Sequence, residues 1–121
     1  MSYTSFNLTQ SAVSVYSEYI SGDAGLCGKF TTNGGKLLVY FGGSGSANSN
    51  HLPVGANLLF NGEVVASAQS NPVGSSRRPF MPVMVSHVPK SKLTNFAIDL
   101  LPGTRADVND VFSLTVMEIQ G

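Results

Sequence analysis

Ala56-Asn57-Leu58-Leu59-Phe60-Asn61-Gly62-Glu63-Val64-Val65-Ala66-Ser67-Ala68 sets two apolar runs on either side of Asn61-Gly62. Asn and Gly both tolerate the positive φ that the central residues of a type I′ turn require, so the dipeptide predicts a two-residue β-hairpin here. The whole chain is then expected to be antiparallel and all-β.

Segments on both sides read the same way. In residues 11 to 20, Ala12, Val15, Tyr16 and Tyr19 fit a helical stripe, while Val13, Val15 and the β-branched content favour a strand, which is the preferred reading. Ser21 to Gly28 reads as a glycine-punctuated loop, followed by Lys29-Phe30-Thr31-Thr32 and a turn at Asn33-Gly34-Gly35. Lys36 to Phe41 is a short, largely buried strand, and Gly42 to His51 a polar, low-complexity exposed loop. Beyond the hairpin, Gln69 to Pro79 is read as a long loop that delivers Arg77 and Arg78 to one place. In Phe80 to Val88, Pro82 removes a ladder donor, which predicts an edge strand or a bulge. Leu93 to Leu101 and Val111 to Ile119 are further strands, joined by residues 102–110. About eight strands at spacings of roughly ten residues are the pattern of a sandwich or a barrel.

Composition narrows the class. A length of 121 residues predicts a single domain over 1–121 with room for a real core. The chain is 42% hydrophobic and only 12% charged, so its surface is built from Ser, Thr, Asn, Gln and Gly, which suits exposed sheet better than exposed helix. Seven basic residues balance seven acidic ones, and no cationic footprint for nucleic acid is visible. Cys27 is the single cysteine, so no intrachain disulfide forms, and it reads as a buried thiol. Residues 1–5 carry neither a basic n-region nor a following apolar h-region, and no run approaches a membrane span. These signs predict no secretory signal and no membrane insertion, and a soluble protein that leaves its cell, if it does, by lysis or a signal-independent route.

Sites of chemistry are sparse. Gly42-Gly43-Ser44-Gly45-Ser46 falls one glycine short of a nucleophile elbow, and no other catalytic signature stands out. His51 and His87 lie in no metal-ligand spacing with Cys27 or with each other. His51 reads as a loop surface residue or a polar ligand contact, and His87 as a structural histidine on a strand. Asp107, Asn109 and Asp110 offer three oxygen-bearing side chains, either part of a calcium site or an Asx turn before a strand. Arg77 and Arg78 either grip an oxyanion such as an acidic glycan or form a solvated loop pair. Asn7-Leu8-Thr9 fits a glycosylation sequon, which has no meaning without secretion. Val111, Met117 and Ile119 share one face of the last strand with Ser113 and Thr115, while Phe112, Leu114 and Val116 line the other with Glu118. A strand apolar on both faces is usually covered on both. Its second cover is either another subunit or an internal loop.

Gly28 to Phe41 resembles the G-x-F-x-x-x-x-x-G-x-Y-x-F segment of the C1q/TNF-type jelly-roll family, Asn57 to Ala68 resembles its central strand-turn-strand, and Asp110 to Val116 resembles its closing strand, where an F-S pair is frequent. The chain differs from the animal members in lacking a collagen-like stalk and in placing Lys36-Leu37-Leu38-Val39 where the family's aromatic pattern is stronger. The resemblance implies an antiparallel β-sandwich, a jelly roll of about eight strands. Phage tail-fibre tips and bacterial surface or spore-filament heads use similar modules, which implies a homotrimer that recognises partners and does no chemistry. The expectation is therefore a non-catalytic binding or structural module, a virion or phage-tail-type component that meets a host surface. The alternative is a soluble lectin whose sugar-contacting surface is loops 42–51, 71–79 and 104–110. Asn48, Asn50, His51, Arg77, Arg78, Arg105, Asp107 and Asn109 are the candidate contacts, with a cell-surface glycan or protein receptor as partner. No cofactor is expected unless Asp107, Asn109 and Asp110 hold calcium.

Overall fold

A computed structural model describes residues 11–47, 53–70 and 77–120. Among them lie ten strands and no helix: β1 (Ser11–Ser21), β2 (Cys27–Thr31), β3 (Leu37–Gly42), β4 (Ser44–Ser46), β5 (Gly55–Phe60), β6 (Glu63–Gln69), β7 (Arg77–Pro79), β8 (Val83–His87), β9 (Leu93–Leu100) and β10 (Val111–Gln120). One sheet runs β1-β10-β3-β8 and the other β2-β9-β5-β6, every pairing antiparallel. The chain passes back and forth between these two sheets, the winding of a jelly-roll sandwich. Two more strands than expected arise because β4 and β7, three residues each, pair in a small third sheet.

The alternation of side chains builds the core. Along β10, Phe112, Leu114 and Val116 are fully buried, opposite Phe41 and Val39 of β3 in register. From the other sheet come Ala56, Leu58 and Phe60 of β5, Phe96 and Ile98 of β9, and Phe30 of β2. Every phenylalanine among the described residues is buried, and the rings form two clusters. Tyr16, Phe30, Phe60 and Phe96 meet toward one end, with centroids 5.2–6.5 Å apart. Phe41 stacks on Phe112 at 6.4 Å and Phe80 meets Phe112 at 5.9 Å toward the other.

The hairpin forms where the sequence places it. Phe60 pairs with Glu63 across Asn61 (φ 51°) and Gly62 (φ 84°), and Asn61 Oδ1 accepts the Asn95 N–H at 2.9 Å. Residues 11–20 form a strand, and β8, which follows Pro82, is an edge strand.

Three expectations are corrected. Residues 44–46 are strand β4, with Gly45 and Ala47 buried, because β7 and Arg105 supply their backbone partners. The loop read at 21–28 ends sooner, since Cys27 and Gly28 pair with Ala97 and Phe96 in β2. That pairing also exposes Cys27: Phe30 faces the core, so alternation aims position 27 outward.

Substituting Ala at Gly62 tests the turn without a packing change, because an added Cβ meets nothing within 4 Å. Gly62→Ala should lower unfolding free energy by about 1–2 kcal/mol through φ alone, and Gly62→Asn by less. Urea denaturation checks both; equal stability of Gly62→Ala and the parent would contradict the turn assignment.

Candidate functional site

The described parts of the three expected loops, residues 42–47, 77–79 and 104–110, lie together at one end of the sandwich. β4 pairs with β7, Ser44 opposite Pro79 and Ser46 opposite Arg77, and Ser46 exchanges two backbone hydrogen bonds of 2.8 Å with Arg105. The segment 101–110 closes over them, Thr104 Oγ1 accepting the Gly55 N–H at 3.1 Å. Asn48, Asn50 and His51, and residues 71–76, lie outside the described residues.

A buried carboxylate organises this end. Asp110 sits just before β10, fully buried. One oxygen accepts the Ser44 hydroxyl at 2.8 Å; the other accepts the Asp107 N–H at 2.9 Å and the Arg77 guanidinium. Arg77 also reaches Asp107 Oδ2 at 3.0 Å, and Asp107 Oδ1 accepts the Asn109 N–H at 2.8 Å in an Asx turn. Gly22 closes the opposite side, its N–H on the Asp110 carbonyl at 2.7 Å; a Cβ there would fall 2.5 Å from the Asp107 carbonyl oxygen.

The electrostatics follow from these contacts. Burial pushes the Asp110 carboxyl up, but the Arg77 fork, the Asp107 N–H and the Ser44 hydroxyl together outweigh it and hold the group below the usual range. The Asn109 N–H and Arg77 likewise hold Asp107 low, and both carboxylates hold the Arg77 guanidinium above its ordinary value. The carboxylates suggested for calcium are engaged by an arginine that neutralises them in place. Among the described residues, no group of three or more His, Cys, Asp or Glu is arranged to hold a metal ion.

Arg77 and Arg78 do not act as a pair. They are neighbours on β7, so they face opposite sides: Arg77 turns to Asp107 and Asp110, and Arg78 is buried, 6% exposed. Arg105, Asp107 and Asn109 remain exposed on this end and are its outward polar groups.

The other end holds features that no sequence motif marks. Glu118, 1% exposed, accepts the Asn33 N–H at 2.9 Å and the Gly35 N–H at 2.6 Å, a carboxylate seated in a turn of backbone donors. An inward Glu beside Phe112, Leu114 and Val116 was the available signal. His87 is half-buried on β8, its ring edge-to-face with Phe60 at 5.6 Å, as befits a structural histidine. Beside it lies a cavity of about 180 Å³ between the Asn61-Gly62 turn and residues 87–90.

No family model and no curated protein matches this sequence. Among solved structures, a β-glucosidase from Paenibacillus barengoltzii is similar over 82% of this chain, at 16% identity and a TM-score of 0.54. Dimeric latent PorU from Porphyromonas gingivalis aligns with 92% of the chain, at 12% identity and a TM-score of 0.47. This chain covers 10% of each of those proteins. The likeness to the first is one of fold.

The depressed carboxyls of Asp107 and Asp110 make stability acid-sensitive. Both bind protons more readily unfolded, so their contribution is complete above the ordinary aspartate range and is lost as pH falls from about 4 downward. Melting temperature should stay level from neutral pH to about 5 and then drop, with a smaller acid drop in Asp110→Asn. Asp110→Ala should cost roughly 2–4 kcal/mol at neutral pH, because it strips Ser44, Asp107 N–H and Arg77 of their common acceptor.

Proposed function

We propose that this protein is a non-catalytic binding or structural module that assembles with copies of itself and presents its polar loop end to a cell surface. The observation that carries the reading is the outer face of the β1-β10-β3-β8 sheet. By register, Tyr19 of β1, Met117 and Ile119 of β10, Leu38 and Tyr40 of β3 and Met84 of β8 share it, interspersed with Ser and Thr. Tyr19 is 82% exposed and Met84 66%. Ser17 and Thr115 bond each other across it at 3.1 Å. No paired position on this face is Asp, Glu, Lys, Arg or His.

The other sheet differs. Its outer face carries the charged Lys29 and Asp99 with Asn95, beside Cys27, Leu59, Leu93 and Ala97, and Ser67 bonds Asn57 at 2.6 Å, so charge is what separates the two faces. A charge-free face meets its own copy without like-charge repulsion, and it is also where the two-faced last strand needs a second cover. A lateral contact through it leaves both ends of the sandwich open. The count of three comes from the C1q/TNF-type resemblance, as does the setting in a virion or phage-tail-type particle that contacts a host. A second reading, a soluble lectin, draws on the exposed Arg105, Asp107 and Asn109, whose donors and acceptors suit sugar hydroxyls.

Light scattering on the eluting protein at micromolar concentration should give three times the chain mass. The double variant Tyr40→Glu, Met84→Lys should elute as a monomer with its melting transition intact, since both side chains are exposed. A monodisperse parent monomer would overturn the assembly. A glycan array probed with and without calcium separates the two readings: signal that depends on Arg105 and Asn109 favours the lectin, and a blank array the particle component.

A further inference from the structure

Glycine follows asparagine at two places, Asn33-Gly34 and Asn61-Gly62. That pairing is the reactive one for asparagine, because a glycine nitrogen has no Cβ beside it to hinder attack on the preceding side-chain amide, and glycine bends freely enough to approach. The two sites differ in how the amide is held. Asn61 Oδ1 accepts the Asn95 N–H at 2.9 Å and Nδ2 donates to the Leu93 carbonyl at 3.5 Å, so turning Cγ toward Gly62 breaks both bonds. Asn33 is exposed, and its side-chain amide makes no hydrogen bond among the described residues. The Gly34 N–H carries one bond, to Thr32 Oγ1 at 3.0 Å, and nothing lies within 4 Å of where a Gly34 Cβ would stand.

A change at residue 33 reaches the core. The Asn33 N–H donates to both Glu118 oxygens, at 2.9 and 3.0 Å, and the Gly35 N–H donates to Oε2 at 2.6 Å. A Cβ at Gly35 would stand 3.0 Å from Oε2, so the seat has no room for a further atom. Glu118 is 1% exposed and forms no ion pair among the described residues, which leaves these backbone donors to hold its carboxylate in place.

We propose that Asn33-Gly34 is a site of spontaneous deamidation whose isoaspartate product unseats Glu118 and loosens the end of β10. The Gly34 nitrogen gives its proton to hydroxide from solvent and bonds to Asn33 Cγ. The bond from Cγ to the side-chain nitrogen breaks, and that nitrogen takes a proton from water, which restores the hydroxide, and leaves as ammonia. One water then opens the cyclic imide. Breaking the bond from the Gly34 nitrogen to Cγ gives aspartate at position 33; breaking its bond to the main-chain carbonyl gives isoaspartate, and nothing is oxidised or reduced. In isoaspartate the chain runs through Cβ and Cγ and is one methylene longer. The N–H groups of residues 33 and 35 then no longer converge on one carboxylate, and the freed α-carboxylate sets a second negative charge beside it. This chemistry is independent of self-assembly.

Protein aged at body temperature in mildly alkaline buffer, then digested and sequenced by electron-transfer mass spectrometry, reports conversion at each asparagine. Position 33 should convert at least about fivefold faster than position 61, the factor for one further hydrogen bond to be broken. The isoaspartate fraction, separated by ion exchange, should melt about 5 °C or more below fresh protein, as the loss of a hydrogen bond to a charged group requires. Asn33→Gln, whose longer side chain closes the ring far more slowly, should melt with the parent and not decline with age. Asn33→Asp should melt between the parent and the isoaspartate form, because it adds the charge without lengthening the chain. Absence of conversion at position 33, or conversion at position 61 that keeps pace with it, would overturn the proposal. So would an isoaspartate fraction that melts with fresh protein, or an Asn33→Gln variant that ages as the parent does.

Discussion

The last strand is held at each end by a buried carboxylate, and the sandwich is organised around that seating. Just before β10, Asp110 gathers Ser44, Arg77 and the Asp107 N–H. Near its other end, Glu118 takes the N–H groups of Asn33 and Gly35. Burying a carboxylate is expensive unless its oxygens are filled, so each group tolerates one position only. A slip of one residue would turn Glu118 to the outer face and carry Phe112, Leu114 and Val116 out of the core with it. Because β10 lies between β1 and β3, its register fixes theirs.

That arrangement gives the molecule two unlike sheet faces and two unlike ends. The paired positions on the face of the β10 sheet turned away from the core are free of charge, whereas the corresponding face of the other sheet carries Lys29 and Asp99 among Leu59, Leu93 and Ala97. One end is a closed polar buckle, where arginine and aspartates satisfy one another and stiffen the loops. At the opposite end the Glu118 carboxylate is seated on the backbone N–H groups of Asn33 and Gly35.

What was legible in the sequence was local. Asn61-Gly62 forces its turn through φ at two adjacent residues, which depends on no distant chain, whereas Pro82, read as lying within a strand, falls just before β8. Asp107 and Asn109 as turn formers were equally readable, since the Asx bond spans two residues. Features set by long-range pairing were not. Strand β4 exists because β7 and Arg105 come to meet it, and Cys27 is exposed because β9 fixes the facing of β2. Arg77 and Arg78 looked like a pair only while they were read as loop; strand alternation separates them. The cavity joins Phe60, His87 and Thr94, which share no motif and meet only through the winding of the chain.

In the proposed assembly, other copies of the chain cover the uncharged face of the β10 sheet. Methionine methyl resonances read this directly, because Met84 and Met117 lie on that face and Met81, 67% exposed, precedes the strand. With a soluble paramagnetic relaxation agent, the Met81 signal should broaden strongly while the Met84 and Met117 signals are protected, the protection fading on dilution. Broadening of Met84 equal to that of Met81 at every concentration would contradict it.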